Sequence, residues 1–197
     1  MTDATVHVVA VCGSLRDESY TRLALQHALD AAESVGASTE LIDLREYDLP
    51  VYDADGDDAG DAPELRRRIR AADAVVLGTP MYHGSYSSVV KTALDYCGFD
   101  EFEKKTIGLL AVSGGGFPIG ALDHLRIVCR SLDAWVLPHQ AAIPNAHSRF
   151  DDGELVDDGL RERVETLGVR AVRFATIEPD PASFESDENV GAGERAE

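Results

Sequence analysis

The sequence predicts an α/β fold built on a doubly wound parallel sheet, and three observations support this prediction. Short apolar runs of strand length alternate with segments in which apolar residues recur at helical spacing. One helical segment follows each predicted strand, which is the connection that parallel strands require. The loops after the first, third and fourth strands are rich in glycine, hydroxyl or aromatic residues. Because ligands of open α/β sheets bind at the carboxyl ends of strands, these loops indicate where a ligand binds.

The length of 197 residues and the hydrophobic content of 44% are those of a single domain with a full core. We predict one domain over residues 1–177, followed by an acidic and disordered tail over residues 178–197. No window is apolar enough to cross a membrane, and Met1–Ala4 lacks the basic region of a leader peptide. The expected location is therefore the cytoplasm.

The charge balance is strongly acidic, with 36 Asp and Glu against 18 Lys and Arg and a formal net charge of −18. Such a surface disfavours nucleic acid as a partner, because phosphate contacts need basic groups. It is typical of a halophile protein, whose self-repulsion is screened within about 3 Å at 1 M salt. The alternative is an acidic protein from an ordinary cytoplasm.

No metal site or disulfide framework is predicted. The three cysteines, Cys12, Cys97 and Cys129, are widely spaced and form no CxxC pair, so each is expected to be a small buried apolar residue. His139 and His147 follow no ligand spacing, and a position on the surface of a loop is favoured for both.

The first part of the chain is predicted to form a strand, a helix, a second strand and a long connection. Thr5–Cys12 is rich in β-formers, and helical spacing follows over Ser19–Val35. Glu40–Leu44 is the second short strand. Arg45–Asp61 is acidic and has no period, so we expect a surface excursion near the ligand or a dimer partner.

The third strand and the turn after it are the most unusual part of the sequence. Pro63 begins a short helix, and Ala74–Leu77 is an apolar run of the type buried in parallel sheets. The turn Thr79–Ser85 contains a proline, two aromatic rings and a glycine before the next helix, Ser87–Tyr96. A rigid backbone edge and flat apolar surfaces at the end of a strand predict a site for a flat, redox-active ring.

The second half of the chain repeats the alternation of strand and helix. The predicted elements are strand Lys105–Ser113 with its glycine loop Gly114–Gly116, helix Gly120–Leu132, strand Trp135–Leu137, an irregular or hairpin segment at 143–157, and an amphipathic helix at 159–177. Five strands alternating with five helices predict a flavodoxin-like sheet of strand order 2-1-3-4-5, with helices on both faces. This order brings the three unusual loops around one crevice.

The loop after the first strand has the composition of a phosphate site. Hydroxyls at Ser14, Ser19 and Thr21 and the guanidinium of Arg16 precede a helix N-terminus, where free N–H groups and the helix dipole favour an anion. A simple capping role for Ser19 is the equally weighted alternative. Three other loop motifs are excluded, because the chain lacks a glycine or an arginine that each of them requires. They are a dinucleotide fingerprint, a Cys-x5-Arg phosphatase loop and a P-loop.

Together, these motifs resemble those of the NADPH-dependent FMN reductase family, which covers flavodoxin-like quinone, chromate, azo-dye and flavin reductases. The loop after the first strand reads G-S-L-R-x-x-S-Y-T, and the segment after the third strand reads T-P-x-Y-x-G-S-x5-K-x3-D. The similarity continues through S-G-G-G to Trp135–Pro138 and spans residues 5–140. Asp17, Glu18, Met81 and His83 depart from the family pattern.

The resemblance implies a bound FMN that is reduced by NADPH or NADH. The residues implied to bind it are Ser14, Arg16, Ser19, Tyr20 and Thr21 at the phosphate, Pro80, Met81, Tyr82 and His83 along the isoalloxazine, and Ser113, Gly114, Gly115 and Gly116 at its other edge. For His83, a surface or interface position is the alternative. Backbone amides in the last two groups can point at ring atoms where negative charge develops on reduction, so no side chain is expected to do acid–base work.

The implied function is that of an FMN-dependent NAD(P)H oxidoreductase that passes hydride from nicotinamide through FMN to a quinone, flavin or similar small acceptor. The resemblance also implies a homodimer or homotetramer, and neither nucleic acid nor a membrane is expected as a partner. A flavodoxin-type electron-transfer protein that acts with protein partners is the alternative. A flavin-free module that retains the fold is the third possibility.

Overall fold

The computed structural model describes residues 5–56 and 58–175. Its strands are β1 (His7–Cys12), β2 (Ser38–Asp43), β3 (Ala74–Tyr82), β4 (Ser85–Tyr86), β5 (Thr106–Val112), β6 (Trp135–Ile143), β7 (Phe150–Asp151) and β8 (Glu154–Leu155). Its α-helices are α1 (Tyr20–Ser34), α2 (Ala62–Ala71), α3 (Ser88–Asp95), α4 (Phe99–Phe102), α5 (Ile119–Ser131) and α6 (Asp158–Arg173).

The main sheet is parallel and has the order β2-β1-β3-β5-β6, with β4 paired antiparallel to β3. This confirms the predicted flavodoxin-like order 2-1-3-4-5. Within the described residues, no helix is both long enough and apolar enough to cross a bilayer.

Each face of the sheet carries its own apolar core. Val9 and Val11 of β1 point into a cluster that includes residues of α2, α3 and α5, whereas Val8, Ala10 and Cys12 point into a cluster formed with α1 and α6. Side chains of a strand alternate between the two faces, so a run such as HVVAVC is buried on both sides.

Strand β3 continues past Leu77, its predicted end, and reaches Tyr82. Pairing with β1 stops at Gly78, but pairing with β5 continues to Pro80. Pro80 has no N–H to donate, and this is tolerated because no strand is paired with it on the β1 side. His83 and Gly84 have φ values of 50° and 82°, as a two-residue hairpin turn requires, and β4 follows. The predicted end of the strand at Leu77 was therefore wrong, and the hairpin was not predicted.

Strand β6 is also longer than predicted, because it passes through Pro138 and ends at Ile143. It lies at the edge of the sheet and pairs with β5 alone, and its register shifts between the partners of Ile107 and Leu109. An edge strand with such an irregularity tolerates proline, since the lost N–H need not face a neighbour.

The remaining differences are small. The short helix α4 was not predicted, and its N-terminus is stabilised by Glu101, whose carboxylate accepts the Gly98 N–H at 2.8 Å. The segment 143–157 contains the hairpin of β7 and β8, which was one of the two predicted alternatives. The last helix ends at Arg173. The predicted helix end at Ile177 and the predicted tail at 178–197 lie outside the described residues.

Candidate functional site

The loops after β1, β3 and β5 meet at the carboxyl edge of the sheet and enclose a cavity of about 290 Å³. The predicted residues that line this cavity are Ser14, Arg16, Tyr20, Thr21, Pro80, Met81, Tyr82, Ser113 and Gly114. Val112, Ala146 and His147 also line it and were not predicted as site residues. The sheet order explains the meeting, because β1, β3 and β5 are adjacent and parallel.

The first loop leads directly into α1. Ser19 is the N-cap of this helix, with its Oγ accepting the Arg22 N–H at 3.1 Å, and it does not line the cavity. Ser14 and Thr21 are buried and line the cavity near the beginning of the helix. The amides of the first turn have no acceptor within the helix, so the loop offers hydroxyls and N–H groups to an anion.

The cavity is electrostatically suited to an anion. Among its lining residues in the described part of the chain, Arg16 carries the fixed charge and no carboxylate is present. The acidic neighbour Asp17 points into solvent and pairs with Arg45. Asp43 is also neutralised, by an ion pair of 3.0 Å with Arg22. Neither Asp17 nor Asp43 therefore opposes a phosphate beside Arg16, and Glu18 is exposed and does not line the cavity.

The opposite part of the cavity is lined mostly by apolar groups. It lies between Pro80, Met81 and Tyr82 of β3 and the glycine loop after β5. A Cβ added to any glycine of Gly114–Gly116 would meet no protein atom within 4 Å. The protein's own packing therefore does not require these glycines, and they leave open a space that a ligand can approach closely.

Hydrogen bonds hold the glycine loop, and they also explain why Ala146 and His147, which were not predicted as site residues, line the cavity. Ser113 Oγ donates to the carbonyl of Gly116. The Asn145 N–H donates to Gly115 O at 2.8 Å, and the Ala146 N–H donates to Ser113 O at 3.0 Å. These bonds bring the segment after β6 against the loop, which places Ala146 and His147 on the cavity wall.

His147 is exposed, as predicted, but it lies in a short 3-10 helix at Ala146–Ser148, and its position beside the site was not predicted. His139, also predicted on the surface of a loop, is instead half-buried within β6, where its Nε2 lies 2.8 Å from the carbonyl oxygen of Arg163.

Three further predicted residues lie outside the cavity wall. His83 is at the exposed tip of the β3–β4 hairpin, in agreement with the surface alternative. Gly115 and Gly116 are exposed and shape the loop without lining the cavity. Of the two departures from the family pattern in this turn, Met81 alone reaches the cavity.

A buried polar network fixes the first two loops relative to each other. Thr79 Oγ1 accepts the Ser87 N–H at 2.9 Å, and Ser87 Oγ donates to Gly13 O at 2.7 Å. The Gly13 N–H in turn donates to Gly78 O at 2.8 Å. A Cβ at Gly13 would lie 1.9 Å from a methyl carbon of Val90, so this close approach requires glycine. A satisfied network of this kind holds binding groups in position before the ligand arrives.

Nothing in the described residues suggests a metal centre, since no group of three potential ligands is present among them. Cys12, Cys97 and Cys129 are free and buried, which confirms the expectation of small apolar residues. Burial raises the pKa of the Cys97 and Cys129 thiols to about 12, and it also raises the pKa of Cys12. A thiol that stays protonated is a poor metal ligand.

The site as a whole fits a flat ring that carries a phosphate. One end offers a guanidinium, buried hydroxyls and a helix N-terminus, and the other end is a slot between a rigid strand end and an open glycine loop. These are the features that FMN requires of a protein, and no lining residue in the described chain opposes its charge.

Comparisons with known proteins agree with this description. The family model described as NADPH-dependent FMN reductase matches residues 6–148. A protein named FMN-dependent NADPH-azoreductase from Staphylococcus haemolyticus (strain JCSC1435) is 32% identical over 178 residues, which cover 86% of this chain and 95% of the relative. The protein of the same name from Staphylococcus aureus (strain USA300) is 31% identical with the same coverage.

Solved structures show the same fold. FerB from Paracoccus denitrificans, a flavoenzyme NAD(P)H:(acceptor) oxidoreductase, superposes with a TM-score of 0.72 at 23% identity, over 87% of this chain and 97% of FerB. The apo form of the NADH:FMN oxidoreductase EMOB superposes with a TM-score of 0.66 at 21% identity, over 84% of this chain and 90% of EMOB.

Proposed function

The chain belongs to the NADPH-dependent FMN reductase family, and from this premise we propose how its residues serve the activity of an FMN-dependent NAD(P)H oxidoreductase. FMN is the cofactor and NADPH the co-substrate. The observation that carries the assignment of residues is the meeting of three strand-end loops at one cavity, with an unopposed guanidinium at one end and an apolar slot at the other.

Arg16, Ser14 and Thr21 hold the FMN phosphate in this proposal. A guanidinium and two hydroxyls around a helix N-terminus provide both charge and hydrogen bonds, and each bond to a charged group contributes about 1.5–3 kcal/mol. Ser19 supports them by capping α1, which fixes the direction of the first-turn amides.

Pro80–Tyr82 and Ser113–Gly114 would hold the isoalloxazine ring in this proposal. Bound FMN supplies the hydride chemistry by accepting hydride from nicotinamide and passing it to the acceptor. The protein positions the ring through two backbone segments whose N–H groups favour negative charge at its edge. Met81 and Tyr82 cover the ring and limit the access of water. The buried network of Thr79 and Ser87 keeps the two segments in place.

The acceptor in this proposal is a small flat molecule such as a quinone, a flavin or an azo dye. The names of the staphylococcal relatives support an azo compound as one acceptor class. Tyr82 is 50% exposed at the edge of the cavity, so an aromatic ring is available to a flat molecule that approaches from solvent. A homodimer or homotetramer remains a prediction.

An anaerobic titration tests the function directly. NADPH added to the FMN-loaded protein under argon should bleach the flavin absorbance, with one equivalent sufficient for each bound FMN. A quinone or an azo dye added afterwards should restore the oxidised spectrum. A flavin that remains oxidised through a long incubation with NADPH and with NADH would overturn the reductase assignment and favour the flavodoxin-type alternative.

A further inference from the structure

A second cavity, of about 490 Å³, lies at the exposed edge of β6, beside the same glycine loop. It is lined by Phe117, Ile119, Pro138, His139, Gln140, Ala142, Leu160, Arg163 and Arg170. We call this cavity the edge groove. Two of its lining residues, Phe117 and Ile119, are exposed apolar side chains, so the packing of the protein's own core leaves this groove open to solvent.

The charge of the edge groove is opposite to that of the protein. The chain has a formal net charge of −18, yet no acidic residue of the described chain lines the groove. Arg163 and Arg170 both line it, and among the described residues neither guanidinium forms an ion pair. Most other arginines described in the chain are paired with carboxylates. Two uncompensated guanidiniums on one wall indicate an anionic ligand.

Helix α6 places these two arginines along one line. Positions 160, 163, 167 and 170 follow helical spacing, so they share one face of α6. Arg163 and Arg170 are seven residues apart in sequence, which separates their Cα atoms by about 10 Å along the helix axis. The carbonyl of Phe174 accepts a hydrogen bond from Thr106, at the amino end of β5, so α6 runs antiparallel to the strands. The groove therefore extends from the carboxyl edge of the sheet down along β6.

The edge groove is close to the proposed flavin site. Gly114 lines the first cavity and Phe117 lines the groove. Three residues of extended chain span no more than about 11 Å, so a single extended ligand can reach both places. Phe117 is 66% exposed and lines the groove three residues after Gly114, so its aromatic ring is accessible to such a ligand.

We propose that the edge groove binds the adenosine 2′-phosphate half of NADPH while the nicotinamide half occupies the flavin site. Arg163 and Arg170 bind the phosphates of this half, and Phe117 stacks on the adenine. A guanidinium suits phosphate because its donors match two oxygens at once. The inference rests on the proposed function, and it adds residues that determine the choice between NADPH and NADH.

The first test measures binding without turnover. Adenosine 2′,5′-bisphosphate is the probe, and its dissociation constant for the FMN-loaded protein is measured by calorimetry. The double variant Arg163→Ala/Arg170→Ala should bind it about 10–100-fold more weakly, because charge-assisted contacts are lost. Arg173→Ala is the matched control, since Arg173 is an exposed arginine of the same helix that does not line the groove. Equal affinity in the double variant and the control would overturn the proposal.

The second test compares hydride donors by stopped-flow reduction of the bound flavin. The double variant should lower kcat/KM for NADPH about 10–100-fold and that for NADH by a smaller factor, because NADH shares the 5′-phosphate of this half and lacks the 2′-phosphate. The variant Arg163→Ala/Arg170→Lys should recover part of this loss in kcat/KM for NADPH, because it restores one positive charge. The proposal is overturned if the ratio of kcat/KM for NADPH to kcat/KM for NADH is unchanged, which includes an equal loss for both donors. A change of oligomeric state that leaves this ratio unaltered also overturns it. Failure of every donor with the wild-type protein would instead overturn the proposed function.

Discussion

Ion pairing separates the arginines that the fold neutralises from those that it leaves without a carboxylate, at the scale of single residues. Arg22 pairs with Asp43, Arg45 with Asp17 and Arg68 with Glu40, so these guanidiniums are neutralised by the fold. Arg16 has no ion pair within the described residues and lines the first cavity. Arg130 and Arg173 also lack an ion pair there but line neither cavity, so an unpaired charge together with a place on a cavity wall makes an arginine available to a ligand.

Replacement of Arg16 is the most direct test of where the FMN phosphate binds. Arg16→Ala should weaken FMN binding about 10–100-fold, because a charge-assisted contact of about 1.5–3 kcal/mol is lost. The measurement is fluorescence titration of the apoprotein with FMN. Arg130→Ala is the control, since Arg130 lies at the C-terminal end of α5, which is not part of the cavity wall. An FMN affinity equal to that of the control would show that the phosphate binds elsewhere.

Local sequence was enough to predict which side chains of the first loop lie together. Ser14, Arg16 and Thr21 lie close in sequence around the start of α1 and line one cavity, and their role at a phosphate stays a prediction. His147 is more than 60 residues from the third strand in sequence, and it reaches the cavity because Ala146 bonds to Ser113. No local pattern in the sequence marks that contact.

The helices α1 and α6 determine the geometry of one face of the sheet at the scale of elements. They cross where Gly168 meets the backbone of Ala28, and a Cβ at Gly168 would lie 1.9 Å from Ala28 O. Leu25 of α1 and Leu167 of α6 are completely buried, and their side chains lie against Gly78 of β3 and Gly108 of β5. Because α1 presents the phosphate loop and α6 presents the edge groove, this crossing links the supports of both proposed sites.

A methyl group at the crossing tests this packing. Gly168→Ala should lower the free energy of unfolding by about 1–3 kcal/mol, because the added carbon forces the two backbones apart. Thermal unfolding should then shift downward by about 2–10 °C.

The matched control is Gly159→Ala in the first turn of the same helix. Its Cβ would lie 3.6 Å from the nearest heavy atom, at ordinary contact distance, so this variant should be neutral or more stable by up to about 1 kcal/mol. Equal melting temperatures for the two variants would contradict the tight crossing.

The lengths of two strands depend on which strands they pair with in the sheet. Pro80 and Pro138 each favoured the end of a strand in the sequence, and both lie inside strands of the structure. Each proline is tolerated because its position in the sheet lacks a partner on one side or coincides with a register shift. The neighbours of a strand are therefore needed to judge a proline within it.

The molecule as a whole combines a formal net charge of −18 with two sites lined by arginine. The general surface repels itself, and the two arginine-lined cavities are local exceptions at which we propose that anionic ligands bind. Long-range repulsion of this kind slows the approach of an anionic cofactor at low salt and destabilises the compact state.

Salt should therefore stabilise the protein. The free energy of unfolding, measured in urea, should rise as KCl increases from about 0.05 M to 1 M, because the Debye length falls from over 10 Å to about 3 Å. The rise should level off near 1 M, whereas a general exclusion of salt from the surface would give a steady increase. A urea midpoint that does not change over this range would contradict both the repulsion argument and the halophile interpretation.

The sequence by itself determined the class of the fold, the order of the strands and the nature of the ligand. Alternating apolar runs and helical patterns reflect local backbone preference and burial, and these are written along the chain. The tertiary structure alone decided that β3 extends to Tyr82, that His147 lies beside the cavity, and that Arg163 and Arg170 share a groove with Phe117. Such meetings depend on how distant segments pack and bond, and the spacing of residues in a single chain does not record them.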